Sequence, residues 1–525
     1  MKHFYKGVDI SSLEQCLEEG MQVRDMDGRV TEPFALLKKY GVNSVRLRIW
    51  VNPENEPESK GYCSLEHTLR MAERIRENGM SFLLDFHYSD FWADPGHQKK
   101  PLAWAGLGRA ELEQTVYEYT RNTLMEFKRQ GVLPHMVQIG NEIRSGLLFP
   151  EGELPDYQGM VSLVNAGIRA ARAAAGKDEM QVMIHLDQGG RYKWLHQWFD
   201  TAIACGLEDF DLIGLSYYPF WHGSFLDVKA SMEQLSEKYQ KPILLVETAY
   251  AWRESEKGFI DKEQIRIGGL PASPGGQKDT LEILMYLLEK LPRDRGLGIY
   301  YWEPLCIPEP GKGGWGENMG LLDEEGRVME GITAFAMTDA ERGRMPEGWP
   351  ELEKKLRREA ENDWEEGICK DGGENLLTNG DFSRYDDTWT MEGEEGVKLS
   401  YPEGKPGSTS RIFQVESPRN FKFRMAAEMV LPEAGRYILY MEAMGADTTG
   451  VDIRLYVEGP SDAAAEKAVH AVETVVHPVE RWQGYRLEFA GEAGDRVKAG
   501  IVMASPPMVF SVRNFRLVRL REIRG

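Results

Sequence analysis

Two apolar runs end in glutamate: MVQIGNE closes on Asn141 and Glu142, and PILLVETAY carries Glu247. A parallel strand buried on both faces reads as a near-continuous Val/Ile/Leu run, and both segments do so until their carboxyl ends turn polar. In a barrel of alternating strands and helices, that end carries the catalytic groups. Two carboxyls meeting there can cleave a glycosidic bond, one protonating the leaving oxygen and the other attacking the sugar or activating water. A lone strand-end glutamate is more simply a salt-bridged residue, so the pair gains its meaning from the groups around it.

Those groups recur at the ends of other apolar runs. Arg46 and Arg48 lie in NSVRLRIW, where a charge inside a strand must be paired to be tolerated, so at least one should meet a carboxylate. Asp85, His87 and Asp90 follow in LLDFHYSD, and His185 and Asp187 end QVMIHLD. Tyr217, Tyr218, Trp221 and His222 follow the next run, and Trp302 and Glu303 close the last. Aromatics crowd the same strand ends, Trp92, Trp221 and Trp302 among them, many in loops beside Gly, Pro and Asp where a core role fits poorly. Sugar rings stack on aromatic planes while their hydroxyls need Asn, Asp, His and Arg, so this mixture suits a polysaccharide cleft. The candidate sugar-binding set is therefore Arg46, Asp85, His87, Trp92, Asn141, His185, Asp187, Tyr218, Trp221, His222 and Trp302.

Eight strands are predicted to hold these residues, over 7–11, 43–50, 81–88, 135–142, 181–187, 211–218, 242–249 and 296–303. Segments of helical periodicity separate them. In SLEHTLRMAERIRENG (64–79), Leu65, Leu69, Ala72 and Ile75 keep a 3–4 spacing and Gly79 supplies the stop. Strand and helix alternating eight times predict an α/β chain with a (β/α)8 TIM barrel over residues 1–345. An open doubly wound sheet would carry a glycine-rich phosphate loop after its first strand, and GVDISSLEQ is not one.

Residues 346–372 are crowded with both signs of charge, as in a solvated helix or linker. From 373 to 525 the pattern turns to short alternating strands such as GRYILYMEAMG and GYRLEFAG, with a turn at Asn379-Gly380, predicting an all-β sandwich. Trp389, Tyr401, Trp482 and Tyr485 are its candidate stacking platforms. The alternative is a structural domain without a ligand.

The net charge of −21 disfavours a nucleic-acid partner, since phosphate contacts need basic patches and none stands out. The five cysteines are scattered, without metal-ligand spacing, and read as free thiols. No metal or other cofactor is expected. No run reaches the ~18 apolar residues that span a membrane. The amino terminus has no apolar leader core, so the chain is cytosolic, or extracellular with its leader removed. Oligomeric state leaves no mark in the sequence.

Taken together, GVDISSL (7–13), NSVRLRIWVNP (43–53), DFHYSDFWADPGHQKKPLAW (85–104), VQIGNEI (137–143), IHLDQGG (184–190), IGLSYYPFWHG (213–223), VETAYAW (246–252) and YYWEP (300–304) resemble glycoside hydrolase family 53, the endo-β-1,4-galactanases of clan A. The resemblance spans residues 1 to about 335. It implies a retaining mechanism with Glu142 as acid/base and Glu247 as nucleophile. It also implies Asn141 on the sugar 2-hydroxyl, Arg46, His87 and Tyr218 supporting the nucleophile, and Trp302 as the floor of the central subsite. One departure is the loop CIPEPGKGGWGENMGLLD, richer in Gly and Pro than that pattern. The tail, with ENLLTNGDFS and a terminal FSVRNFRLVRL, resembles the jelly-roll carbohydrate-binding modules that accompany such enzymes.

Three other readings stay open on the residues alone: a clan A glycanase acting on mannan or xylan, a sugar-binding barrel without turnover, and a metal-dependent hydrolase built on His87, His185 and Asp187. For the carboxyl pair, burial and the neighbouring charge should raise Glu142, while an arginine such as Arg46 should lower Glu247.

Overall fold

The eight predicted runs form eight parallel strands: β1 (Tyr5–Asp9), β2 (Ser44–Ile49), β3 (Ser81–Phe86), β4 (Met136–Ile139), β5 (Gln181–Leu186), β6 (Leu212–Ser216), β7 (Ile243–Thr248) and β8 (Gly296–Trp302). In this computed structural model they close in sequence order, β8 pairing with β1, into a (β/α)8 barrel. The structure describes residues 3–307, 314–361, 376–377, 389–393, 398–400, 413–417, 421–445, 452–459, 472–476, 483–505 and 508–519.

Helices cover the outside of the barrel. The helix Leu65–Glu77 starts where Ser64 Oγ accepts from His67 N at 3.3 Å, turns Leu69, Met71, Ala72 and Ile75 inward, and stops before Gly79 at φ +69°. Helices Tyr157–Ala175, Phe225–Tyr239 and Pro274–Glu289 are capped in the same way by Asp156, Ser224 and Ser273. Inside the barrel, Leu83, Met136, Met183, Leu212, Leu244, Val246 and Tyr300 pack into a solid layer. The interior is therefore filled, and a ligand can be met only at the mouth. Parallel register sets side by side the residues that matter there: Asp9 pairs with Arg46 and Trp302, and Arg48 with Asp85. Among the described residues no helix is long and apolar enough to cross a membrane.

By its internal contacts the chain divides into two compact units, Met1–Glu353 and Lys354–Gly525. The second unit holds β9 (Thr390–Gly393), β10 (Lys398–Ser400), β11 (Phe413–Ser417), β12 (Phe421–Val430), β13 (Gly435–Gly445), β14 (Asp452–Glu458), β15 (Val472–Val475), β16 (Gln483–Gly491), β17 (Arg496–Ser505) and β18 (Met508–Arg519). They form two five-stranded antiparallel sheets, β9-β12-β17-β14-β15 and β10-β11-β18-β13-β16, joined where the Phe413 and Phe423 rings lie 5.9 Å apart. Strands β12 and β17 escape the sequence pattern because Ala426, Ala427, Ala499 and Gly500 blunt its alternation. A Cβ on Gly500 would meet Met425 O at 1.9 Å, so the close approach needs glycine.

Two of the four candidate platforms are core residues. Tyr485 is fully buried, and Trp389 packs edge-on against Phe515 at 5.0 Å. Tyr401 and Trp482 lie outside the described residues, as do the Asn379-Gly380 turn and residues 362–372 of the charged linker, whose first part holds the helix Trp349–Glu361.

Candidate active site

Arg46 organises the mouth. It is 1% exposed, and a buried guanidinium is tolerable only if its donors are met. Nη1 donates to Asp9 Oδ2 at 2.8 Å, and Nε donates to Gln138 Oε1 at 3.3 Å. Nη2 reaches Asp85 Oδ2 at 2.8 Å, Asn141 Oδ1 at 2.9 Å and Glu247 Oε1 at 2.9 Å. One cation thus faces three carboxylates from three strands, a geometry that suits the planar fork of arginine and not an ammonium.

Glu247 sits near the end of β7, with its second oxygen accepting from Tyr218 Oη at 3.3 Å. His87 Nδ1 accepts from Ala93 N at 3.0 Å, which leaves Nε2–H to donate to Asp85 Oδ2 at 3.0 Å and hold that carboxylate on Arg46. Burial outweighs the Arg46 attraction at Glu247, and the Asp9 and Asp85 charges add to it, so its carboxyl is pushed up to about 7. The sequence expectation of a lowered Glu247 is therefore corrected. Arg46, shared with Asp9 and Asp85, does not offset desolvation at Glu247.

Asn141 and Glu142 are consecutive yet both reach the mouth, because Gly140 (φ +80°) and Glu142 (φ +48°) leave the extended conformation and break the alternation of β4. Asn141 Nδ2 donates to Ala93 O at 2.8 Å. His185 lies beneath. Its Nδ1 receives Gln138 Nε2 at 2.8 Å and Glu142 N at 3.3 Å, so Nε2 carries the proton and donates to Ser216 Oγ at 2.8 Å. Ser216 in turn hydrogen-bonds the Glu142 carboxyl. Burial holds His185 well below its ordinary value, so it stays neutral. Glu142 is driven well above the carboxylate range, first by burial, then by the charges of Glu247 and Asp187. Among the described residues no cation touches it in the way Arg46 touches Glu247, so Glu247 ionises first. The two glutamates approach to within 4.8 Å, oxygen to oxygen.

Aromatic rings border the pair. Trp302 packs against Trp92 at 5.7 Å and edge-on against Trp315 at 4.4 Å, and Phe259 and Trp221 continue the surface at 5.2 and 5.9 Å. Trp92 and Phe259 keep 36% and 47% of their surface exposed. Three candidates stand farther from the carboxyl oxygens in role. Asp187 accepts from Arg144 Nε at 3.0 Å, Trp221 abuts Tyr218 at 5.2 Å, and buried His222, held neutral at about 3, spends Nδ1 on Ser216 O at 3.0 Å.

The family model for glycosyl hydrolase family 53 matches residues 5–335. The chain belongs to that family. It is a glycoside hydrolase, and its substrate is a carbohydrate. An uncharacterized protein of Niallia circulans is 38% identical over 350 residues, covering 63% of this chain and 93% of that one. The arabinogalactan endo-beta-1,4-galactanase A of Emericella nidulans is 36% identical over 337 residues, covering 63% and 93%. The solved family 53 catalytic domain of Ignisphaera aggregans matches at 36% identity with a TM-score of 0.59, covering 63% of this chain and 95% of that one.

For a family 53 enzyme the metal reading fits poorly. Among the described residues one set, Glu142, His185 and Glu247, lies close enough to hold an ion. Both ring nitrogens of His185 are already spent, on Gln138 and Ser216, so it has no lone pair to offer. Asp187, one of the three residues named for that reading, is tied to Arg144.

The residues missed from sequence are Asp9, Gln138, Ser216 and Phe259. Asp9 was legible in principle, as a carboxylate inside the apolar run of the first predicted strand, GVDIS. Ser216 and Phe259 carry no comparable signal.

Proposed function

We propose that this chain is a retaining, endo-acting glycosidase that cleaves β-1,4-galactosidic bonds in galactan or type I arabinogalactan. The observation that carries the reading is the separation of the glutamates. Retaining enzymes hold their carboxyls about 5–5.5 Å apart, and inverting ones roughly 6.5–9.5 Å to admit a water. Contact within 4.8 Å leaves no room for that water.

Glu247, ionised first and aligned by Arg46 and Tyr218, attacks the anomeric carbon. Glu142, still protonated, gives its proton to the leaving oxygen, so that the C–O bond breaks as the Glu247 ester forms. Glu142, now a carboxylate, takes a proton from water as that water attacks the same carbon and releases Glu247. The Ser216–His185 chain steadies Glu142 through both steps. Asn141, its oxygen fixed by Arg46, is directed at the 2-hydroxyl of the bound sugar, and Trp302 at its ring face.

The galactan assignment rests on the relatives' activity; mannan and xylan share the β-1,4 linkage and are the rivals. Digesting a panel of the three polymers separates them, with galactan oligomers the expected product. Residues 373–525 are proposed as an accessory sugar-binding unit on their resemblance to jelly-roll modules, with neither Trp389 nor Tyr485 as its platform.

A further inference from the structure

Arg48 has no part in the chemistry above. It lies two residues beyond Arg46 on the same face of β2 and is 4% exposed. Nη1 donates to Glu303 Oε1 at 2.6 Å and Nη2 to Ser12 Oγ at 2.8 Å, while its buried Nε meets no partner among the described residues. A buried ion pair with an unmet donor is a poor stabiliser, since packed apolar side chains of similar volume do as well or better. What a guanidinium alone supplies is a flat cation that stacks on indole. Its central carbon lies 4.0 Å from the centroid of the Trp92 ring.

The partner of Arg48 matters equally. Glu303 directly follows Trp302 and takes a left-handed backbone (φ +47°) that turns the chain at the end of β8. Its Oε1 also accepts from Ser12 N at 3.1 Å and Ser12 Oγ at 2.8 Å, and its amide donates to Asp9 O at 2.9 Å. One ion pair therefore backs Trp92 through a stacked cation, with Trp50 a more distant second ring at 5.3 Å, and fixes the chain beside Trp302. Those rings, Trp92 and Trp302, are in contact with each other.

We propose that Arg48, held by Glu303, is a positioning residue that sets the plane of Trp92 beside Trp302 and so shapes the surface on which the glycan stacks. The proposal rests on the glycosidase reading above. Arg48 itself touches no substrate, so its effect should fall on binding and not on bond cleavage.

The test is a double-mutant cycle in the full-length chain on β-1,4-galactan. R48K keeps the charge but loses the stacking plate. KM should rise about tenfold with kcat within about twofold, and tryptophan emission should shift to the red. W92L should raise KM similarly, and adding R48K to W92L should change it by less than about twofold, because the two act through one ring. Unchanged KM and emission in R48K, or KM effects that multiply, would overturn the proposal. If R48K does not fold, E303Q releases the same plate and enters the cycle in its place. If wild type leaves galactan intact, that failure belongs to the substrate assignment, and the cycle is run on whichever polymer it cleaves.

Discussion

The barrel mouth and the C-terminal sheets both bury ion pairs and aromatic rings, yet they do so in different ways. In the sheets, Glu442 and Arg513 are directly opposed cross-strand neighbours, the usual unit of sheet stabilisation. In the mouth, Arg46 draws together Asp9, Asp85 and Glu247 from β1, β3 and β7, strands that do not all adjoin β2. The rings differ likewise: Trp389 and Tyr485 are closed into the core, while Trp92 and Phe259 stay open at the rim. A ladder pair needs only its neighbour to explain it. Groups converging across a barrel, at the cost of burying several charges, ask for a chemical reason.

The contrast breaks most sharply at Glu247. Glu247→Gln should lower galactan hydrolysis by roughly 10⁴-fold or more while binding survives, since only the nucleophile is lost. Retention of more than a tenth of the activity would remove this residue from its role. Glu142→Ala should cost about 10²–10⁴-fold on the polymer and far less on activated aryl glycosides, whose leaving groups depart without a proton.

Arg46→Met sharpens the electrostatic side. Without the guanidinium, Glu247 should rise further above about 7, so the acidic limb of kcat/KM should move to higher pH. The sign follows from Glu247 having to be ionised for attack. The alkaline limb, set by the proton on Glu142, should instead vanish in Glu142→Ala. An acidic limb that stays in place in Arg46→Met would mean that another group titrates there. Stability should drop as well, by about 3–5 kcal/mol, because three buried carboxylates lose their cation.

The C-terminal unit should give the smallest effects on catalysis. Removing residues 373–525 should leave rates on short soluble oligomers within about twofold, because every proposed catalytic residue precedes Glu303. Capture of long or insoluble galactan should weaken if this unit binds sugar. Trp389→Ala should lower the melting temperature of that unit, as loss of a core aromatic costs about 3–5 kcal/mol, and leave kcat on oligomers unchanged. Galactan binding lost with the melt unchanged would return Trp389 to the role of a platform.

The barrel was legible because buried parallel strands announce themselves twice, in apolar runs and in the polar residues at their carboxyl ends. Glu142, Glu247 and Arg46 stand out for that reason. Asp9 was obscured by its short strand, and Ser216 because a serine in IGLSYY looks like any other. The raised Glu247 was not legible either, since the sharing of Arg46 among three carboxylates exists only in the closed barrel. In the sandwich, alternation located strands such as β13 and β16 but could not say which face was inner. Trp389 and Tyr485 therefore passed for surface rings.

Two glutamates within 4.8 Å are proposed to act by double displacement. Proton NMR of the reducing ends released in the first minutes of galactan hydrolysis tests it directly. Double displacement at a β-linkage releases the β-anomer first, which then mutarotates toward equilibrium. An α-anomer appearing first would contradict it, because water would then have attacked in a single inverting step.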